Sequence, residues 1–241
     1  MAASLGTQLI NACKKGDKSL VHSLLGSPDA VKKAGHALRA ALEHQHLECA
    51  ALVLPHAKRM HVDAALGECA SQGYLAGVNF LVAAHVVDIQ NHNPLLWAAQ
   101  KGHTECVAAL LPHYPPNTAP LNRVLIETAH HGHVECIKLL IPVAVPTMSN
   151  SAALALAAAN GHVECVKELL SVSDPLADES YALMCALKRD HRECIDVLYP
   201  VSDAPAVLQR LQSIYPDKSS LWKDLEALVL EKECAEPKVK M

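Results

Sequence analysis

The chain has little of several things that common classes of protein need. Aromatic residues make up only 3% of its 241 residues, and 21 Lys and Arg nearly balance 25 Asp and Glu. A near-neutral charge does not indicate a nucleic-acid partner. No apolar run approaches the ~20 residues of a membrane-spanning helix, so we expect no membrane contact. No basic stretch followed by a long apolar segment opens the chain, as a secretory signal peptide would.

Catalytic and metal-binding signatures are missing as well. The sequence has no nucleophile elbow, phosphate-cradling glycine loop, His-Glu-x-x-His or Cys-x-x-Cys pattern. We therefore predict a protein that is not an enzyme and holds neither a cofactor nor a metal. Nine cysteines without a signal peptide favour a reducing compartment. That compartment is the cytoplasm, either of the producing cell or, for a secreted effector, of a host cell.

What the sequence does have is a repeat. The block Gly-His-x-Glu-Cys occurs at 102–106, 132–136 and 161–165, with weaker copies at 45–49 and 190–194. Asp17 and Tyr74 hold the histidine position in two further copies. The seven histidine positions, which are 17, 46, 74, 103, 133, 162 and 191, are 28 to 30 residues apart. A fixed period of this length is typical of a solenoid, in which each repeat packs only against its neighbours.

Each repeat has the pattern of two helices. A leucine stands eight residues before the histidine position in all seven copies, and a small residue follows three later, on the same helix face. Apolar residues then recur three, four, seven and eight residues after the histidine position, which predicts a second helix. The recurring Glu falls in the first turn of that second helix, near the positive end of its dipole. In four copies a proline follows its last apolar pair.

These residues resemble the ankyrin repeat family. The family's two motif segments are best matched by Asn93-Pro94-Leu95-Leu96-Trp97-Ala98-Ala99 and by Gly161-His162-Val163-Glu164-Cys165-Val166. The resemblance covers about residues 5–205 and implies an all-α solenoid of stacked antiparallel helix pairs. Family repeats run to about 33 residues, and the Gly-Ala-Asp-Val-Asn stretch of their β-hairpin fingers is missing here. We therefore expect the fingers to be shortened or absent.

The predicted organisation has three parts. An array of seven repeats spans residues 1–205, a C-terminal helical cap spans 206–234, and a frayed tail spans 235–241. Two helices are predicted near the cap, at 204–214 and 219–233. The second has an apolar stripe of Leu221, Leu225, Leu228 and Val229.

The recurring His and Cys could be metal ligands, because they lie three residues apart on one helical turn. Zinc, however, takes four ligands within bonding reach, and the next pair is a whole repeat away. We therefore predict a histidine that caps a turn beside a small buried cysteine. His130 and His131 precede one such turn and are expected to be exposed. A pH-sensitive contact is the alternative there, since histidine titrates near neutrality.

The resemblance implies a non-catalytic protein that binds a partner protein through its concave groove, as an adaptor, an inhibitor or an effector. In such arrays the two residues before the Gly-His turn point into the groove. We call these residues the strip. Its members are Lys14, Lys15, Glu43, His44, Ser71, Gln72, Gln100, Lys101, His130, His131, Asn160, Lys188 and Arg189.

The strip is basic on a mildly acidic chain, which favours an acidic partner and its electrostatic steering. An ordinary solvated face with random charges explains the same residues. Two other functions also stay open at this point. One is an enzyme or small-ligand binder whose site is built from inter-repeat loops. The other is a nucleic-acid binder that uses the basic strip, with affinity that falls steeply with salt.

Overall fold

The computed structural model describes residues 3–84 and 94–214, together with 226, 227 and 229. Within those residues the chain consists of helices joined by short turns, and no residue lies in a β-strand. The predicted all-α class is therefore confirmed, and the described loops lack β-hairpin fingers. The chain divides into two compact units, Met1–Pro115 and Pro116–Met241.

The first unit contains four helix pairs in its described part. Each pair has the predicted first and second helix, and one short extra helix, α3, lies between the first two pairs. The helices are α1 (Leu5–Lys15), α2 (Lys18–Leu24), α3 (Pro28–Val31), α4 (Ala34–Glu43), α5 (Leu47–Val53), α6 (Arg59–Gln72), α7 (Leu75–Ala84), α8 (Pro94–Gln100) and α9 (Thr104–Leu110). The first helices α1, α4, α6 and α8 pack one on the next, and behind them α2 packs on α5 and α7 on α9. The unit is thus a two-layered stack.

The second unit repeats this arrangement. Its helices are α10 (Ala119–His131), α11 (Val134–Leu140), α12 (Met148–Ala159), α13 (Val163–Leu170), α14 (Ala177–Lys188), α15 (Arg192–Leu198) and α16 (Ala204–Ile214). The first helices α10, α12 and α14 form one layer, and the second helices α11, α13 and α15 form the other. Both units are therefore stacks of antiparallel helix pairs, which is the ankyrin-like solenoid that the sequence predicts.

The repeated apolar positions form the core of each stack. All seven repeat leucines are buried, from Leu9 at 0% exposure to Leu66 at 5%, and so are the small residues three positions later. Burying a leucine contributes about 2 kcal/mol, so these columns are a major source of stability. The second helices end where predicted, because prolines follow in short 3₁₀ turns at Leu54–His56, Leu111–His113 and Tyr199–Val201.

The N-terminal ends of three first helices carry a buried polar residue that the sequence pattern did not reveal. Asn122, Ser151 and Ser180 each lie eleven residues before a repeat histidine and are at most 3% exposed. Each side-chain oxygen accepts the backbone N–H of the residue 23 positions later, at 2.7, 3.0 and 2.9 Å. The loop that leads into the next repeat is thereby attached to the preceding first helix. We call this contact the loop acceptor.

The helix predicted at 204–214 is present as α16, which packs on α14 as the first helices pack on one another. It therefore occupies the place of one more first helix. The helix predicted at 219–233 lies outside the described residues except at Glu226, Ala227 and Val229, which are helical. The tail at 235–241 also lies outside them. The three-part organisation remains a prediction.

Candidate functional site

The strip residues lie at the C-terminal ends of the first helices or directly after them. Most of their side chains are exposed, and the others are half-buried. The exposed members are Lys14, Lys15, Glu43, His44, Gln72, Lys101, His130, His131 and Arg189, and the half-buried members are Ser71, Gln100, Asn160 and Lys188. The structure places part of the strip in each unit, and the two parts are described separately below.

The first helices end in a residue with left-handed backbone geometry. Gly16, Gly73, Gly132 and Gly161 have φ between +70° and +79°, a region that glycine adopts without steric cost. Gln45 and Asp190 hold the same position with φ of +61° and +55°, which residues with a Cβ rarely adopt. Positive φ alone therefore does not explain why glycine fills most of these positions.

The histidine of the next repeat supplies the further reason. A Cβ atom added to Gly16, Gly73, Gly132 or Gly161 would lie 2.5–2.7 Å from Nδ1 of the histidine 30 residues later, well inside van der Waals contact. Glycine thus makes room for an imidazole ring of the following repeat. Gln45, by contrast, is followed by Tyr74 at the histidine position, and Tyr74 packs against Gly77. The glycine of one repeat and the histidine of the next thus form a contact between the two repeats, which we call the seam.

Each seam histidine also makes a hydrogen bond to the preceding repeat. The Nε2 atoms of His46, His103, His162 and His191 lie 3.0–3.2 Å from a backbone carbonyl oxygen 32 residues earlier. Because a carbonyl oxygen only accepts, Nε2 must carry the proton. The histidines do lie at N-cap positions of second helices, but their side chains make no N-cap bond. The predicted turn cap is instead a bond between repeats.

The seam fixes the backbone of the strip. The four accepting carbonyls belong to Lys14, Ser71, His130 and Ala159, each the first of the two residues that precede the turn in its repeat. They lie at helix C-termini, where carbonyl groups lack partners within the helix. The side chains at these positions therefore project from backbone that the next repeat holds in place.

A hollow adjoins the strip in the first unit. It has a volume of about 540 Å³ and is lined by α4, α6 and α8, including the strip residues Ser71 and Gln72. Trp97 forms one wall and is 38% exposed. The opposite wall carries Arg39, whose guanidinium donates to both carboxylate oxygens of Glu68 at 2.8 and 3.0 Å. The hollow therefore has an aromatic wall, formed by Trp97, that faces an ion pair whose two charges cancel.

Trp97 lies in the hollow because Gly67 faces it. A Cβ at Gly67 would come within 2.1 Å of Cζ3 of the indole ring, so any side chain there would displace Trp97. The sequence analysis treated Trp97 only as part of a family motif. Its position, six residues before the repeat histidine, is occupied by several residue types, and that variability was the available signal of an exposed site.

A second hollow, of about 490 Å³, lies in the second unit between α12 and α14. Ala152, Ala155 and Leu156 form its floor on α12. Tyr181, Cys185 and Lys188 line it from one face of α14, and Arg189 lines it from the position that directly follows this helix. Two strip residues, Lys188 and Arg189, thus lie beside an apolar floor and a tyrosine that is 38% exposed.

The first turn of α14 has unusual backbone geometry. Asp178, Glu179 and Ser180 have φ of +50°, +55° and +60°, at a cost of about 1–2 kcal/mol per residue. Arg210 of α16 stabilises the turn. Its Nη1 donates to the Asp178 carbonyl oxygen at 3.0 Å and lies 3.5 and 3.2 Å from the carboxylates of Asp178 and Glu179. The acidic end of the second hollow is thus only partly neutralised, because one arginine pairs with two carboxylates.

The histidines near the strip in the second unit form a small cluster. His130 and His131 are exposed, as predicted, and their rings meet edge to face at 5.0 Å. The His131 ring stacks on His133 at 6.3 Å. The Asn160 side-chain amide donates to His130 Nδ1 at 3.1 Å, and His131 Nδ1 donates to the Glu127 carbonyl at 2.8 Å. Both strip histidines of this unit, His130 and His131, therefore have partners within the protein.

Eight cysteines lie in the described ranges and form no disulfide there, and all of them except half-buried Cys185 are in the core. The five at the repeat position, which are Cys49, Cys106, Cys136, Cys165 and Cys194, are all buried, as predicted. Burial raises the pKa of Cys13 and Cys69 to about 12 and that of Cys165 to about 11. A thiol with so high a pKa stays neutral and is a poor nucleophile. Across the described ranges, no group of three or more His, Cys, Asp or Glu is arranged to hold a metal ion.

Comparison with family models agrees with this geometry. The model for ankyrin repeats matches in three overlapping copies, at residues 66–145, 95–175 and 125–207, which together cover more than half of the chain. The chain belongs to the ankyrin repeat family. Its ankyrin repeats are linked by the seam and by the loop acceptor, and they place the strip and both hollows on the first helices. No curated protein matches the chain.

Membership in the family fixes the general role of the fold. Ankyrin repeats are generally protein–protein interaction modules, and the family is typically non-enzymatic. In the part of the chain that the structure describes, no helix of these ankyrin repeats has the length and apolarity needed to cross a membrane.

Proposed function

We propose that this ankyrin repeat protein binds a partner protein without catalysing a reaction, through the exposed side of its first helices. We call that side of each unit its first-helix face; it comprises the part of the strip and the hollow that lie in that unit. The observation that carries the proposal is the second hollow, where exposed Tyr181 and basic strip residues surround an apolar floor. Protein interfaces favour aromatic residues and arginine at their buried centres.

The charge of the strip favours an acidic partner. Lys14, Lys15 and Lys101 lie on it in the first unit, and Lys188 and Arg189 in the second, against one acid, Glu43. Such charges speed the capture of an oppositely charged protein. The seam supports the same proposal, since a backbone held by hydrogen bonds loses less entropy when its side chains engage a partner.

The non-catalytic role and the location belong to the same proposal. Eight buried or half-buried cysteines in the described residues form no disulfide with one another, which suits a reducing compartment. We therefore place the protein in the cytoplasm.

The test is affinity capture from cell lysate, followed by mass spectrometry. The face variant carries Lys14→Glu, Lys101→Glu, Lys188→Glu and Arg189→Glu. A matched control carries Lys18→Glu, Lys138→Glu, Lys167→Glu and Arg192→Glu, four exposed positions on second helices. The control makes the same change in net charge, and surface ion pairs at these sites contribute only about 0–1 kcal/mol.

The expected result is a stoichiometric partner that the wild type and the control capture and the face variant does not. Circular dichroism spectra and thermal midpoints should show that all three proteins are folded. A partner retained by the face variant but lost by the control would assign binding to the second helices. That outcome would contradict the proposed function.

A further inference from the structure

The second hollow has the shape of a short groove between two neighbouring first helices. Tyr181, Cys185 and Lys188 are four and three residues apart, so they lie on one face of α14. Tyr181 and Lys188 are separated by about 10 Å along the helix axis. An extended peptide rises about 3.3 Å per residue, so about three residues of extended chain match this length.

The floor of the groove permits close approach. Ala152 and Ala155 present only methyl groups, and Leu156 adds a half-buried apolar side chain. Tyr181 stands beside this floor with part of its ring exposed. An apolar side chain of a ligand would be removed from water between alanine methyl groups and the tyrosine ring. Burying such a side chain is favourable in proportion to the area covered.

The two ends of the groove differ in charge. At the end formed by the first turn of α14, Arg210 pairs with Asp178 and Glu179. At the other end Lys188 and Arg189 lie side by side, and the neighbouring Asp190 pairs with Arg192 at 3.5 Å. One arginine between two carboxylates leaves the first end with a net negative charge, whereas the end at Lys188 and Arg189 is positively charged. A ligand that fits would place negative charge there.

Resting on the proposed function, we propose that the second hollow binds a short acidic peptide segment of the partner protein. One apolar side chain of the segment occupies the alanine floor against Tyr181. A carboxylate within the next two or three residues pairs with Lys188 and Arg189. The occupant is a linear segment rather than a folded surface, because the hollow is only about three residues long and lies between two helices.

The test is selection of short peptides from a random displayed library on the full-length chain, followed by binding titrations of the recovered peptides. The expected consensus has an apolar residue followed by Asp or Glu. Lys188→Gln with Arg189→Gln should weaken binding about tenfold. The matched control is Lys138→Gln with Lys167→Gln, two exposed lysines on second helices of the same unit, and it should leave the affinity unchanged.

A second variant tests the apolar floor of the second hollow without altering the charge of the protein. Ala152→Phe places a ring in the hollow from a half-buried position, and it should weaken the same peptides at least tenfold while the thermal midpoint is retained. Recovered peptides without acidic residues, or peptides that bind both variants like the wild type, would overturn the inference. Recovery of no peptide would also overturn it.

One outcome separates this inference from the proposed function. If the recovered peptides lose affinity for a Trp97→Ser variant but not for Ala152→Phe, the partner uses the first hollow. The inference about the second hollow is then wrong, while protein binding through the first-helix face stands. If the lysate experiment instead assigns the partner to the second helices, both fail.

Discussion

The two ends of the first helices are joined to the next repeat in different ways. At the C-terminal end the seam uses one residue pair, a glycine and an imidazole 30 residues later. At the N-terminal end the loop acceptor uses asparagine in one repeat and serine in two. The seam needs a residue without a Cβ and one particular ring, whereas the acceptor needs only an oxygen. The strict geometry of the seam therefore produces a motif that recurs in the sequence, whereas the looser geometry of the loop acceptor produces none.

The largest effect that this comparison predicts is at the glycine of the seam. Gly161→Ala places a methyl group against the His191 ring and forces alanine to a φ of +74°. The left-handed backbone and the overpacking together should cost about 3 kcal/mol of unfolding free energy. Urea denaturation followed by circular dichroism measures the loss.

Gln45→Ala is the control for that prediction, because Gln45 already has positive φ and no histidine follows at Tyr74. We expect a loss below about 1 kcal/mol, since neither residue is glycine and no ring has to move. Equal losses in the two variants would show that backbone conformation alone selects glycine.

The next largest effect is at the loop acceptor. Ser151→Ala leaves the Asp174 N–H without the oxygen that now lies at 3.0 Å. An unsatisfied donor of this kind costs about 2 kcal/mol. The same denaturation experiment measures it, with Ser213→Ala, at an exposed position of α16, as the control. A loss no greater than that of the control would mean that water replaces the serine.

A smaller effect is expected from the histidine of the seam. His191→Ala removes the bond from Nε2 to the Ala159 carbonyl, which is 3.0 Å long, and should cost about 1 kcal/mol. In the Gly161→Ala background the same change relieves the clash. In that background His191→Ala should leave the unfolding free energy unchanged or raise it. A double-mutant cycle should therefore give a coupling free energy of about 1–2 kcal/mol between the two positions. Additive losses would contradict a direct contact.

The smallest effect is a gain. Gln45→Gly removes the left-handed strain of a residue with a Cβ, at the expense of backbone entropy in the unfolded chain. We expect a net stabilisation of about 0.5 kcal/mol. A thermal midpoint below that of the wild type would show that the Gln45 side chain makes a stabilising contact of its own.

Much of the fold could be predicted because its determinants recur. The leucine and cysteine columns, the ends of the second helices and α16 all follow from spacing and from residues with one dominant preference. The strip could be located for the same reason, since it precedes the repeated turn. Its function remains a prediction, because exposure shows where a partner can reach and not whether one does.

The two hollows, which the sequence did not predict, depend on contacts between pairs of unlike residues. Trp97 lines a hollow because Gly67 lies opposite, and Tyr181 borders another because Arg210 supports the turn before it. Each is a single pair in a single repeat, so no column of the sequence reveals it. The hollows were therefore beyond sequence reasoning, although they adjoin positions that it identified.

The seam bonds all join residues 32 positions apart, and the loop-acceptor bonds all join residues 23 positions apart. Duplicating residues 133–161, one whole repeat with histidine and glycine at its seam positions, would therefore leave each donor with an acceptor at its usual distance along the chain. A gene with this property can change length by recombination between its own repeats without loss of a bonded pair. The constancy of these offsets makes the repeat the natural unit in which such a protein evolves.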